Sequence, residues 1–238
     1  MYNFRKVFIL IQYSHIKATN TKTNKMLIPK KMDTIIRILL VNLFVKGPNL
    51  RLSTLAKKAK ITNAMAKRIV LRLERSEYVT TRRGIRVINP KKLMRVWGYS
   101  YSIRELERVE FTVAERPQYV MTKIANMARL KPLQYAFTLF SATEHISPYV
   151  APSDTYLLIL KKDVKEWESF FRKENILPIE KEGNVICLLV DEDYFEGVWN
   201  ARGMFVVSLP QLYADLFSFG GRGEEAAEEI INKVLKNV

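Results

Sequence analysis

From Asp33 onward the apolar positions settle into a helical rhythm. Ile35, Ile36, Leu39, Leu40, Leu43 and Phe44 fall on one stripe, Asp33 is placed to cap it, and Gly47-Pro48 ends it. Ser53 can cap a second, short helix with Leu55, Ala56 and Ala59 turned inward. Thr62 or Asn63 caps a third, which runs to about Glu77. The period then changes. Tyr78 to Thr81 and Ile85 to Ile88 read as strands around Arg82-Arg83-Gly84, a hairpin with a basic tip. Two short helices joined by a tight turn, followed by such a hairpin, predict a winged helix-turn-helix over residues 33–90.

After Pro90, which suits the first turn of a helix, the chain alternates. A helical connector covers 91–110, with Leu93, Met94, Val96 and Trp97 as its apolar face. Strands are expected at 109–113, 135–140, 156–160, 184–190 and 204–208. Helices are expected at 118–130, after Ser141, from Asp163 through Phe171, at 210–217 and at 224–238. No fixed repeat recurs. The expectation is an α+β protein: a winged helix-turn-helix followed by a mixed α/β domain over 91–238. Residues 1–32, with the short apolar run Val7–Ile11, form a separate N-terminal extension. That run is too short for a signal peptide and no small-residue cleavage site follows it.

Charge sharpens this division. The 238 residues carry 39 Lys plus Arg against 24 Asp plus Glu, a net +15. Residues 1–90 hold 20 bases and three acids (Asp33, Glu74, Glu77), or +17, and the remainder is −2. Such asymmetry points to nucleic acid or another anionic surface. The single Cys187 excludes an internal disulfide, and one cysteine with two histidines cannot build a Cys/His zinc site. No apolar run is long enough to span a membrane, so a cytoplasmic protein without membrane attachment is expected.

The third helix concentrates the candidate chemistry. At about 100° per residue, Ala66, Ile69, Val70 and Leu73 share one side and Arg68, Arg72 and Arg75 the other, with Lys67 at the edge. Thr62, Asn63 and Ala64 are short enough to let the helix start approach base edges. Lys57 and Lys58 before it, and Arg82, Arg83 and Arg86 on the hairpin, can reach phosphates. Double-stranded DNA is the expected partner.

Catalytic patterns fare worse. Asp191-Glu192-Asp193 are adjacent on one loop and cannot all face one ion. Asp154 with Asp163-Val164-Lys165 imitates a nuclease motif, but Asp163 stands at a helix start. Gly220-Gly221-Arg222-Gly223 precedes a helix, yet Glu224 and Glu225 occupy its first turn and no Gly-Lys-Ser/Thr follows. His15, His145 and Cys187 join no nucleophile motif. No enzyme activity, cofactor or metal is expected.

One C-terminal stretch is more specific. Leu209-Pro210-Gln211-Leu212-Tyr213-Ala214-Asp215-Leu216 leads into Gly220-Gly221-Arg222-Gly223-Glu224-Glu225-Ala226-Ala227. This resembles the AbiEi-like transcriptional regulators, the antitoxins of type IV toxin–antitoxin systems, and the resemblance covers about residues 33–238. It implies a DNA-binding repressor acting on its own promoter, a nucleotidyltransferase-like toxin as partner, and a C-terminal domain tied to toxin neutralisation. It also marks Gln211, Tyr213, Asp215, Gly220, Gly221, Arg222 and Gly223 as motif positions, either a functional surface or fold maintenance with Tyr213 and Asp215 orienting the glycine turn. Two other readings stay open. One is a metal-dependent enzyme processing nucleic acid or nucleotides, targeted by the winged helix. The other is an antitoxin acting mainly through protein contact by residues 91–238.

Overall fold

A computed structural model describes residues 22–234 apart from Lys46, Pro48 and Pro132. The Val7–Ile11 run and His15 lie outside the described residues. The chain divides into two compact units, with the boundary between Tyr101 and Ser102.

The first unit opens with helix α1 (Lys22–Val45). Asp33 therefore lies inside a helix already under way and does not cap it; its carboxylate accepts from the Ser100 hydroxyl at 3.3 Å. The helix stops where expected. Gly47, at φ 102°, donates its N–H to Asn42 O at 3.0 Å, a backbone turn that glycine adopts without strain. Helix α2 (Leu52–Lys58) starts after Arg51, so Ser53 falls within its first turn and is not the cap. Helix α3 (Asn63–Arg75) is capped by Thr62, whose hydroxyl accepts from Met65 N–H at 3.2 Å. Ala66, Ile69, Val70 and Leu73 are its buried face. Strands β1 (Val79–Thr80) and β2 (Arg86–Val87) pair antiparallel. Leu50 adds a bridge to Ile85, with reciprocal bonds of 2.9 and 2.8 Å, so the hairpin gains a third partner from before α2. Glu74 ties the hairpin to α3: its Oε1 accepts from Thr81 N–H at 2.8 Å and from the Thr81 hydroxyl at 2.7 Å. Helix α4 (Pro90–Ser100) begins with Pro90 in its first turn and buries Leu93, Met94 and Trp97. It belongs to this unit, and it ends ten residues before the expected connector does.

The second unit is built on a seven-stranded mixed sheet. Its strands are β3 (Arg108–Thr112), β4 (Tyr135–Phe137), β5 (Thr155–Leu160), β6 (Leu177–Ile179), β7 (Val185–Val190), β8 (Trp199–Ala201) and β9 (Met204–Val206). The order is β6-β3-β7-β5-β4-β9-β8, with β5–β7 and β4–β9 parallel and the other pairs antiparallel. Strands β5 and β7 are central and almost wholly buried, which accounts for their continuous apolar runs. Five helices flank the sheet: α5 (Pro117–Leu130), α6 (Leu139–Ile146), α7 (Val164–Lys173), α8 (Leu209–Phe219) and α9 (Arg222–Val234). Helix α7 covers one face, with Phe171 at 4.7 Å from Phe111 and Trp167 at 6.2 Å from Tyr135 between ring centroids. The end of α8 lies against the opposite face, where Phe219 meets Tyr156 at 5.9 Å. The molecule is thus a mixed α+β protein, and no described helix is long and apolar enough to cross a membrane.

Candidate nucleic-acid interface and the C-terminal motif

In the first unit, α3 presents its start and one flank to solvent. Asn63, Ala64, Lys67, Arg68 and Arg75 are exposed, and so is the capping Thr62. No acid occupies the first turn, so the positive end of the helix dipole faces outward uncompensated. Arg72 is half-buried, and Leu71, which lies between Arg68 and Arg75 on the exposed side, shows 38% of its surface. Arg82, Arg83 and Arg86 are exposed on the hairpin, and Lys57 on α2; Lys58 is half-buried. Lys57, Lys67, Arg68, Arg75, Arg82, Arg83 and Arg86 form no ion pair with a described residue. Of the three acids in this part of the chain, Glu74 is held by Thr81 and Asp33 accepts from Ser100. The surface therefore combines unneutralised cations, a helix N-terminus and one apolar contact. Leu71 was not singled out from the sequence; an exposed leucine in a row of arginines on one helix face was its only signal.

In the second unit the motif is mostly interior. Ser208 caps α8, its hydroxyl accepting from Gln211 N–H at 3.4 Å. Gln211 donates from Nε2 to Asp215 Oδ1 at 2.8 Å, and Asp215 Oδ2 accepts from the Thr138 hydroxyl. Asp215 is fully buried, so these bonds replace its hydration and fasten α8 to the end of β4. Tyr213 stacks on Phe217 within α8 and donates to Glu228 Oε1 at 3.1 Å, a bond that fastens α8 to α9. Gly220 and Gly221 have φ of 86° and 56° and make the turn; Gly223 lets α9 pass close to Leu216. Arg222 is exposed. At the start of α9, Glu225 accepts from the Tyr149 hydroxyl at 2.8 Å.

The groups weighed for catalysis are scattered. Asp191, Glu192 and Asp193 lie on a surface turn where Glu192 pairs with Lys162 at 2.8 Å. Asp163 stands at the start of α7 without a capping bond. Cys187 is fully buried, which pushes its thiol far above the usual range. His145 is half-buried; burial, then Arg202, hold its imidazole below the ordinary value against the opposing pull of Glu144. Among the described residues no group of three or more His, Cys, Asp or Glu side chains is placed to hold a metal ion.

A basic helix-and-hairpin unit thus precedes, in chain order, a mixed-sheet unit with a buried Gln-x-Tyr-x-Asp helix. Residues 86–236, well over half of the chain, match the model of a family described as transcriptional regulator, AbiEi antitoxin, type IV toxin–antitoxin system. The chain belongs to that family. The match begins at Arg86, so α1 to α3 lie before it. No curated protein and no solved structure matches the chain significantly.

Proposed function

We propose that the chain is a cytoplasmic, sequence-specific DNA-binding repressor, with residues 33–90 acting as a winged helix-turn-helix. Helix α3 enters the major groove, with Thr62, Asn63, Ala64, Lys67 and Arg68 nearest the base edges. Arg72, Arg75, Lys57 and Lys58 add backbone contacts, and Arg82, Arg83 and Arg86 on the wing meet phosphate or the minor groove. The observation that carries this reading is the exposed flank of α3, where Lys67, Arg68 and Arg75 form no ion pair with a described residue. A merely solvated helix face ordinarily mixes signs; this one is left for phosphates to neutralise. Leu71 supplies an apolar contact of the kind a thymine methyl accepts.

Family membership supports a second role, neutralising a nucleotidyltransferase-like toxin through the C-terminal domain. Gln211, Tyr213 and Asp215 serve that domain by holding α8 in place, and Arg222 is the motif side chain available to a partner.

The test is binding of the full chain to DNA from upstream of its own reading frame, in competition with scrambled DNA. Arg68→Ala should cost about 1–3 kcal/mol on the specific sequence and little on the scrambled one. An equal loss on both makes Arg68 a phosphate contact, and no loss on either removes α3 from the interface.

A further inference from the structure

The second unit contains a cavity of about 300 Å³ on the sheet face opposite α7. That is the small end of the range for ligand pockets. Arg104 and Arg108 line it together with Leu139, Tyr156, Leu188 and Phe219. The strand register explains the grouping. Arg108 pairs with Leu188 across β3 and β7, and Tyr156 pairs with Ile186 two residues earlier in β7, so all three project from one face.

Both guanidiniums are exposed but oriented. Arg104 donates from Nη2 to Phe219 O at 3.2 Å, and Arg108 from Nη2 to Arg104 O at 2.9 Å. Neither forms an ion pair with a described residue. Each guanidinium carries five N–H donors in a rigid fork, so donors remain for a planar acceptor. A second observation is independent of charge. Leu139, fully buried in the cavity wall, has φ of 51°. A branched side chain rarely adopts that conformation, and such strain concentrates where ligands are clamped. It is held from its neighbour: Thr138 donates its N–H to Tyr156 O at 3.1 Å and its hydroxyl to Asp215. The buried motif carboxylate thus fixes the elbow that lines the cavity, and Phe219, the last residue of the same helix, forms another part of its wall.

The lining selects the ligand. Phe219, Leu188 and Leu139 offer apolar surface to a ring, and the two forks offer paired donors to one carboxylate. A second negative charge is disfavoured. Extra charged oxygens against the apolar wall would lose hydration without replacement. We propose that this cavity binds a small aromatic monocarboxylate, its carboxylate on Arg104 and Arg108 and its ring against Phe219 and Tyr156.

The inference does not depend on DNA binding, and calorimetric titration of the full chain tests it with three probes: benzoate, benzyl alcohol and inorganic phosphate. Benzoate should saturate one site per chain, with the other two weaker by about tenfold or more, as expected when charged hydrogen bonds or ring burial are withheld. Arg108→Gln should weaken benzoate by a similar factor, and Arg108→Lys should recover part of the loss. A wild-type amide spectrum gives an answer that needs no variant. Benzoate should shift the signals of Arg104, Arg108 and Leu139 and leave those of Arg82 and Arg83 in place. Failure to saturate, equal binding of phosphate or benzyl alcohol, or shifts centred on the basic hairpin would each overturn the proposal.

Discussion

Alanine at Gly223 should destabilise the C-terminal unit far more than alanine at Gly221. A Cβ on Gly223 would lie 2.4 Å from Leu216 O, 3.3 Å from Leu216 C and 3.4 Å from Phe219 Cβ. The nearest obstacle is backbone, and Leu216 is fully buried, so no flexible side-chain end can swing away. To restore ordinary contact α8 and α9 must separate by roughly 1 Å. Overpacking of this kind costs about 3 kcal/mol. In a unit of this size that lowers the melting temperature by about 10 °C. A Cβ on Gly221 meets nothing within 4 Å and suffers only from φ of 56°, a penalty of about 1–2 kcal/mol. Differential scanning calorimetry of the full chain should therefore show Gly223→Ala moving the C-terminal transition down about twice as far as Gly221→Ala. The reasoning fails if Gly223→Ala melts with the wild type, or if Gly221→Ala is the more damaging. The glycines would then not serve turning and close packing, and a ligand-cradling role would have to be reconsidered.

Two further outcomes follow from the bonding pattern. Glu74→Ala removes the acceptor of both Thr81 bonds, so Thr81 amide exchange should accelerate, with a loss of about 1 kcal/mol; unchanged protection would mean that the hairpin is held without α3. Burial keeps the His145 imidazole below its ordinary value, so the unfolded chain binds the proton more readily. The resulting stability is present above the unfolded pKa of about 6.5 and is lost as pH falls below it. Between pH 7 and 5 the wild type should lose stability more steeply than His145→Gln, and parallel profiles would refute the assignment.

The parts of this fold that were legible in the sequence are those where period and cap coincide. Ala66, Ile69, Val70 and Leu73 repeat at helical spacing behind a threonine, and the structure buries all four with Thr62 as cap. The runs ending at Leu160 and Val190 could be read as buried strands because both faces of the sheet are covered. Errors arose where local chemistry offered a stop or start that tertiary structure did not use. Asp33 could have capped a helix, but α1 already runs from Lys22, through a stretch with no apolar stripe to announce it. Leu177-Pro178-Ile179 carries a weak strand signal, since proline lacks the N–H for a ladder; β6 accepts it because it pairs only with β3, at the sheet edge. Strand β8 was not among the expected strands; Arg202-Gly203, both at positive φ, make the tight turn that joins it to β9. The cavity had no sequence signal, because Arg104, Tyr156, Leu188 and Phe219 meet only through strand register and the end of α8.

The central claim is that the basic first unit binds DNA through its backbone charge, and the salt dependence of that binding tests it most directly. Fluorescence anisotropy of the full chain on labelled promoter DNA, between about 50 and 200 mM salt, should give log K against log salt a slope near −5 for about six phosphate contacts, an affinity loss of roughly 10³-fold. A slope near zero would contradict the account.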